Sequence, residues 1–109
     1  MFVVIYSFEV LPGQEATFKK AWEDLTRLIY SHEGSLGSRL HHHEDLHYIA
    51  YAQWPEKYIW EHSGSHLPES AKAISAEMRA SCASIKTLYE MDLVSDLLQS
   101  TPSPLPNKG

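Results

Sequence analysis

The stretches of this chain that alternate with the period of a β-strand are apolar on both faces. Residues 2–10 place Phe2, Val4, Tyr6, Phe8 and Val10 on one face and Val3, Ile5, Ser7 and Glu9 on the other. Residues 47–54 set Tyr48, Ala50, Ala52 and Trp54 against Ile49 and Tyr51, and near the C-terminus Leu88 and Val94 oppose Tyr89, Met91 and Leu93. A sheet with one wet face would alternate apolar with polar residues. Leaving a large apolar side chain in water forfeits about 1.5–3 kcal/mol, so both faces of this sheet need a cover.

Only two helical patterns of any length are available to supply it. Pro12-Gly13 ends the first strand, and from about Gln14 the period changes to that of a helix. Phe18, Trp22, Leu25 and Ile29 form its apolar stripe, Lys19, Lys20, Glu23 and Arg27 its wet side, and Gly34 its stop. Ser35–His43 and His47–Trp54 read as strands around a turn at Glu44-Asp45. Pro55 leads a short helix over Glu56–His62. After the Gly64 interruption a longer helix starts near Pro68, with Ala71, Ile74 and Met78 on one face. Ile85–Val94 reads as the last strand, and the Pro-rich tail beyond it is expected to be mobile or to lie across a neighbour. The order is β-α-β-β-α-β, the split βαβ or ferredoxin-like α+β arrangement, with a domain over residues 1–95 and a tail over 96–109. Helices on one face leave the other bare. A second copy of the chain, paired sheet to sheet by a two-fold axis, is the simplest cover, so a homodimer is expected.

With 109 residues the chain is long enough for one core and too short for two. A net charge of −5 with nine Lys and Arg argues against nucleic acid or an anionic membrane as partner. Cys82 is the only cysteine, which excludes an internal disulfide and reads as a small packing residue in a reducing, cytoplasmic setting. The N-terminus alternates where a signal peptide would run apolar, and no stretch approaches the ~18 apolar residues of a membrane helix. No Gly-rich phosphate loop, zinc-protease helix motif, Cys-x-x-Cys or Gly-x-Ser-x-Gly is present.

Three ordered pieces carry a resemblance. They are Phe8-Glu9-Val10-Leu11-Pro12-Gly13-Gln14 before a long amphipathic helix, Glu33-Gly34-Ser35-Leu36-Gly37-Ser38-Arg39-Leu40-His41, and Tyr51-Ala52-Gln53-Trp54 followed by Trp60-Glu61-His62-Ser63. Together, over about residues 1–95, they resemble the antibiotic-biosynthesis-monooxygenase-like family of dimeric α+β barrels. The resemblance implies a pocket between sheet and helices in each subunit. It also implies a monooxygenase that needs no flavin, haem or metal and acts on a small aromatic or quinol-type compound. In that chemistry an electron-rich phenol loses a proton and its carbanion meets oxygen directly, while the protein supplies a cavity, a hydrogen-bond partner and orientation. The haem-degrading branch fits less well: Tyr6 stands where it carries an Asn, and Ser63 and Ala73 stand near the places of its helical Trp and iron-binding His.

Tyr6, on the presumed helix face, and His62 are the candidate catalytic groups, one to hydrogen-bond a phenolate or quinone oxygen and the other as a base near neutrality. His66, across Gly64 from His62, shares the expected cavity mouth, although both also read as solvated loop histidines. Trp22, Trp54 and Trp60 are candidate walls for a flat ligand and equally candidates for the core. Arg39 can stabilise an oxyanion or serve as an ion-pair partner at the dimer seam. His41, His42 and His43 with His47 could bring two or three imidazoles together across a hairpin, enough to hold zinc or nickel. A working site would want a further ligand and a supporting shell, which Glu44 and Asp45 supply only in part. An ordinary exposed hairpin, with no resident metal, is the expectation. A non-catalytic, dimeric module that binds a small ligand is the alternative function, because one scaffold hosts many activities.

Overall fold

The computed structural model describes residues 1–106. Its elements are β1 (Phe2–Val10), α1 (Glu15–His32), β2 (Ser38–Glu44), β3 (His47–Trp54), α2 (Lys57–Glu61), α3 (Ser70–Ala80) and β4 (Cys82–Asp92). The four strands form one antiparallel sheet in the order β2-β3-β1-β4, which is the ferredoxin-like topology. β1 lies in the interior. It pairs with β3 from Phe2 opposite Trp54 to Glu9 opposite His47, and with β4 from Phe2 opposite Asp92 to Val10 opposite Cys82. Among the described residues no helix is long and apolar enough to cross a membrane.

The period-two face of β1 settles where the core lies. Phe2 and Val4 join Ala52 and Trp54 of β3 in one buried cluster, with Ile29, Ile59 and Trp60 packed against it. Phe8 and Val10 join Ala50 and Phe18 in the other, under Trp22, Tyr48 and Met78. Phe18 is fully buried, its ring centroid 5.0 Å from that of Phe8 and 5.4 Å from that of Tyr48. Tilted pairs at this spacing gain from their ring quadrupoles beyond the area they bury. The small Ala50 and Ala52 give the helices their close approach, and α1 and α3 lie side by side over this face.

The opposite face has no helix. Val3 pairs with Gln53 and Met91, and Ile5 with Tyr51 and Tyr89, so these six side chains share it. Val3 is buried, but Tyr89 is 62% and Met91 42% exposed. After β4 the chain runs without regular structure. Leu93 N–H donates to the Met1 carbonyl, and Val94, Leu97, Leu98 and Leu105 stand in solvent. The last three residues of the expected tail lie outside the described residues.

Several boundaries differ from the sequence reading for local reasons. β2 begins at Ser38, not Ser35, because Gly37 adopts φ +98° and its N–H is taken by the Ser35 hydroxyl. The hairpin turn falls on Asp45-Leu46, one residue late, where Asp45 takes a left-handed φ of 48°. β4 starts at Cys82, three residues before the apolar pattern begins, because its first residues pair with Val10 and Glu9 through the backbone. At the end of α1, Gly34 has φ +76°, and a Cβ there would come within 3.3 Å of Ile59 Cγ2.

Phe18→Ala is expected to cost about 3–5 kcal/mol, the usual loss for a fully buried phenylalanine. Urea unfolding would read it as a lower midpoint at unchanged slope.

Candidate functional site

A cavity of about 170 Å³ lies between the sheet and its helices. β1 contributes Tyr6 and Phe8, β3 contributes Ala52 and Trp54, and α1 contributes Trp22, Leu25 and Ile29. Met78 of α3 and Ile85 of β4 close it, and Ser35 and Ser38 border it. The two serine hydroxyls are already engaged, Ser35 with the Gly37 N–H and Ser38 with the Tyr51 carbonyl. The rest of the lining is mostly apolar, Thr26 and the Trp22 indole aside, and two further residues carry polar groups of interest.

The first is the Tyr6 phenol. Its oxygen accepts a hydrogen bond of 2.8 Å from the Trp60 indole N–H. Burial pushes its pKa up; the Trp60 bond opposes this in part, and the nearby Glu90 charge adds to it. Tyr6 is therefore a neutral phenol through the physiological range, with its own O–H still free to donate. The second is Trp54, which is 4% exposed and whose Nε1–H has no partner among the described residues. A buried donor left without an acceptor costs on the order of 1–3 kcal/mol.

The structure thus brings Tyr6, Trp22 and Trp54 together in the cavity wall. Trp60 stands behind them, bonded to Tyr6 and packed on Phe2 at 5.7 Å between ring centroids. His62 and His66 lie elsewhere. They line a separate depression with His32, Glu33, Tyr58 and Ile59. His62 donates from Nδ1 to the Tyr58 carbonyl at 2.8 Å, and so belongs to the end of α2. Arg39 is across the sheet, opposite Tyr51 on the bare face, in a shallow hollow with Leu36 and Gln53.

Glu33 is the residue that sequence reasoning passed over. Its side chain is 1% exposed, and its carboxylate accepts the His66 backbone N–H at 2.8 Å and the His66 ring Nδ1–H at 3.0 Å. Burial would raise its pKa, but the His66 ring and backbone bonds, a further one from the Gly64 backbone and the proximity of His66 outweigh it. The carboxyl is held below the usual range as a result. A signal was present: Glu33 falls four residues after Ile29, on the same helical stripe as Trp22 and Leu25. This one carboxylate ties the end of α1 to the loop before α3, and α3 carries Met78 to the cavity.

Comparison with known proteins agrees with this architecture. The antibiotic biosynthesis monooxygenase family matches the chain over residues 1–67, and the chain belongs to that family. A Caulobacter crescentus protein of the antibiotic-biosynthesis-monooxygenase type is similar in structure, with 23% identity, a TM-score of 0.72, and coverage of 86% of this chain and 90% of that one. SnoaB from Streptomyces nogalater, a cofactor-independent oxygenase, is similar at 14% identity with the same TM-score, covering 90% of this chain and 97% of its own. At such identities the likeness is one of fold. No curated protein matches the chain.

Glu33→Gln is expected to lower stability near neutral pH, because the buried amide keeps an acceptor but loses the charge. A folded-state pKa below the unfolded one contributes stability that is present above the unfolded carboxyl range and lost as pH falls through the folded value. The gap between wild type and Glu33→Gln in urea unfolding should therefore narrow as pH drops from 6 toward about 3.

Proposed function

We propose that the chain is a cofactor-independent monooxygenase that oxidises a small phenol- or quinol-type compound in the cavity between sheet and helices. The observation that carries this reading is a largely apolar cavity with the Tyr6 phenol in its wall, its proton held in place by burial and its O–H free to donate. A fixed donor calls for an acceptor oxygen on the ligand, and it holds an oxyanion better than a neutral hydroxyl. A bound phenol thereby becomes more acidic, its proton leaves to solvent, and electron density rises at the ring carbon that meets oxygen. At a ring C–H of a hydroquinone, one oxygen atom ends on that carbon of the hydroxyquinone formed and the other leaves as water. The four electrons that the ring loses are those that dioxygen gains. Tyr6 acts here as a hydrogen-bond donor, because burial keeps its proton in place.

The cavity volume narrows the ligand further. An apolar cavity of about 150 Å³ takes a benzene ring, so the 170 Å³ here suits a single-ring hydroquinone. A three-ring anthrone would extend beyond this volume, and a tetrapyrrole further.

The bare sheet face supports a two-fold homodimer in the same proposal. Ile5, Tyr51, Tyr89 and Met91 form a partly exposed patch around the buried Val3, whose covering a second copy would accomplish with no new surface.

Oxygen uptake with a panel of hydroquinones and anthrones tests the activity, with the single-ring compounds expected to turn over faster. Tyr6→Phe removes the donor at nearly constant volume, and its kcat/KM should fall by about tenfold, the worth of one hydrogen bond to a developing charge. Binding without oxygen uptake would instead identify a non-catalytic ligand module. Sedimentation at micromolar concentration is expected to give twice the chain mass for wild type and the single-chain mass for Met91→Glu, which puts a charge into the patch.

A further inference from the structure

The end of the β2–β3 hairpin carries a pair of imidazoles that the cavity chemistry does not use. His43 occupies the irregularity in pairing between His42 and Glu44, and His47 opens β3. Their Nδ1 atoms face each other at 2.9 Å, with ring centroids 5.1 Å apart and planes at 73°. The other nitrogen of His47, Nε2, lies 2.6 Å from the Ser7 hydroxyl on β1 and 3.8 Å from Glu9 Oε1. Two ring nitrogens at hydrogen-bond distance hold one proton between them. With Nε2–H donating to Ser7 Oγ, His47 Nδ1 carries a lone pair and His43 Nδ1–H donates to it. In that tautomer Ser7 holds the His47 ring through Nε2 and leaves Nδ1 open to a metal, the task that outer-shell partners perform for coordinating histidines.

We propose that His43 and His47 bind a divalent transition cation of the imidazole-preferring kind, with zinc as the type case, in place of the proton they share. Zinc–nitrogen bonds of 2.0–2.1 Å at a tetrahedral angle set two ring nitrogens roughly 3.3 Å apart. The present pair therefore needs to open by about 0.4 Å, with the rings turning by roughly 35° each so that both lone pairs meet at one point, and the exposed His43 ring has room to make most of that movement. On binding, the proton of His43 passes through solvent to its own Nε2, so both imidazoles stay neutral and no net proton is released. Glu9 and Glu44 both stand opposite His47 in the sheet register, and their negative charge favours a cation at this spot. Among the described residues no third His, Cys, Asp or Glu converges with the pair. Water fills the remaining positions, and the affinity is that of a two-imidazole chelate, well below that of a four-ligand structural site. Such an ion would tie β2 to β3, and through Ser7 its support comes from β1.

Calorimetric titration of the full chain, prepared without an affinity tag, with zinc chloride tests this. The expected result is one zinc ion per chain with micromolar affinity and a rise in Tm. His43→Ala and His47→Ala should each weaken binding by tenfold or more, on the order of a lost ligand. Ser7→Ala keeps both imidazoles and should weaken it about tenfold, as loss of a supporting partner does. His41→Ala, on the same strand, should bind as wild type. Circular dichroism checks that each variant is folded, and the exposed His43 variant is the one least tied to folding. Absence of stoichiometric binding overturns the proposal. So does unchanged binding in His43→Ala, or an equal loss in His41→Ala, which would mean diffuse attraction to a histidine-rich strand.

Discussion

β1 is hydrogen-bonded along both of its edges, and the register of those two ladders decides the place of every other group described above. A slip by one residue would exchange the set Phe2, Val4, Tyr6, Phe8 and Val10 for Val3, Ile5, Ser7 and Glu9. Tyr6 would leave the cavity and Ser7 would leave His47. The slip is opposed on both sides at once. Phe8 could not meet Phe18 from the other face, and Glu9 would fall under the helices, where no cation among the described residues is placed to receive it. The two faces of one strand therefore hold the cavity and the hairpin histidines in a fixed relation, with the thickness of a single sheet between them.

The cavity runs against the close packing around it. It lies beside Ala52, between the sheet and the helices, and the buried Trp54 N–H has no acceptor among the described residues. Both features cost stability: an unfilled volume loses dispersion contacts, and a stranded donor loses its hydration. A core shaped for stability alone would contain neither. The surrounding frame absorbs the cost through the Phe8-Phe18-Tyr48 stack and the bond between Trp60 and Tyr6, which also keeps the Tyr6 ring at one orientation. Local sacrifice of packing within a well-packed shell is the pattern expected where a fold accommodates a ligand.

What could be read in advance followed from side-chain period. The alternation in residues 2–10 and 47–54 and the stripe through Phe18, Trp22, Leu25 and Ile29 fixed β1, β3 and α1 and assigned Tyr6 and Trp54 to the helix face. Boundaries governed by backbone conformation were harder. Nothing in the side chains of Ser35-Leu36-Gly37 announces that Gly37 will take φ +98° and delay β2, and Cys82 to Ser84 join β4 through main-chain pairing alone. The separation of His62 and His66 from the cavity depended on a contact between residues 33 positions apart. Spacing along the chain put those histidines near a pocket; the direction of the loop that holds them was set by Glu33. Arg39 was open between an oxyanion partner and a residue of the dimer seam, and the ladder with β3 puts it on the bare face, away from the cavity.

The bond between Glu33 and His66 closes a segment that contains all of β2, β3 and α2. Moving the loop before α3 away from α1 would strip that buried carboxylate of the donors that satisfy it, a cost felt by every element the segment contains. The chamber beneath the helices is thus braced by a residue that never touches what the chamber holds.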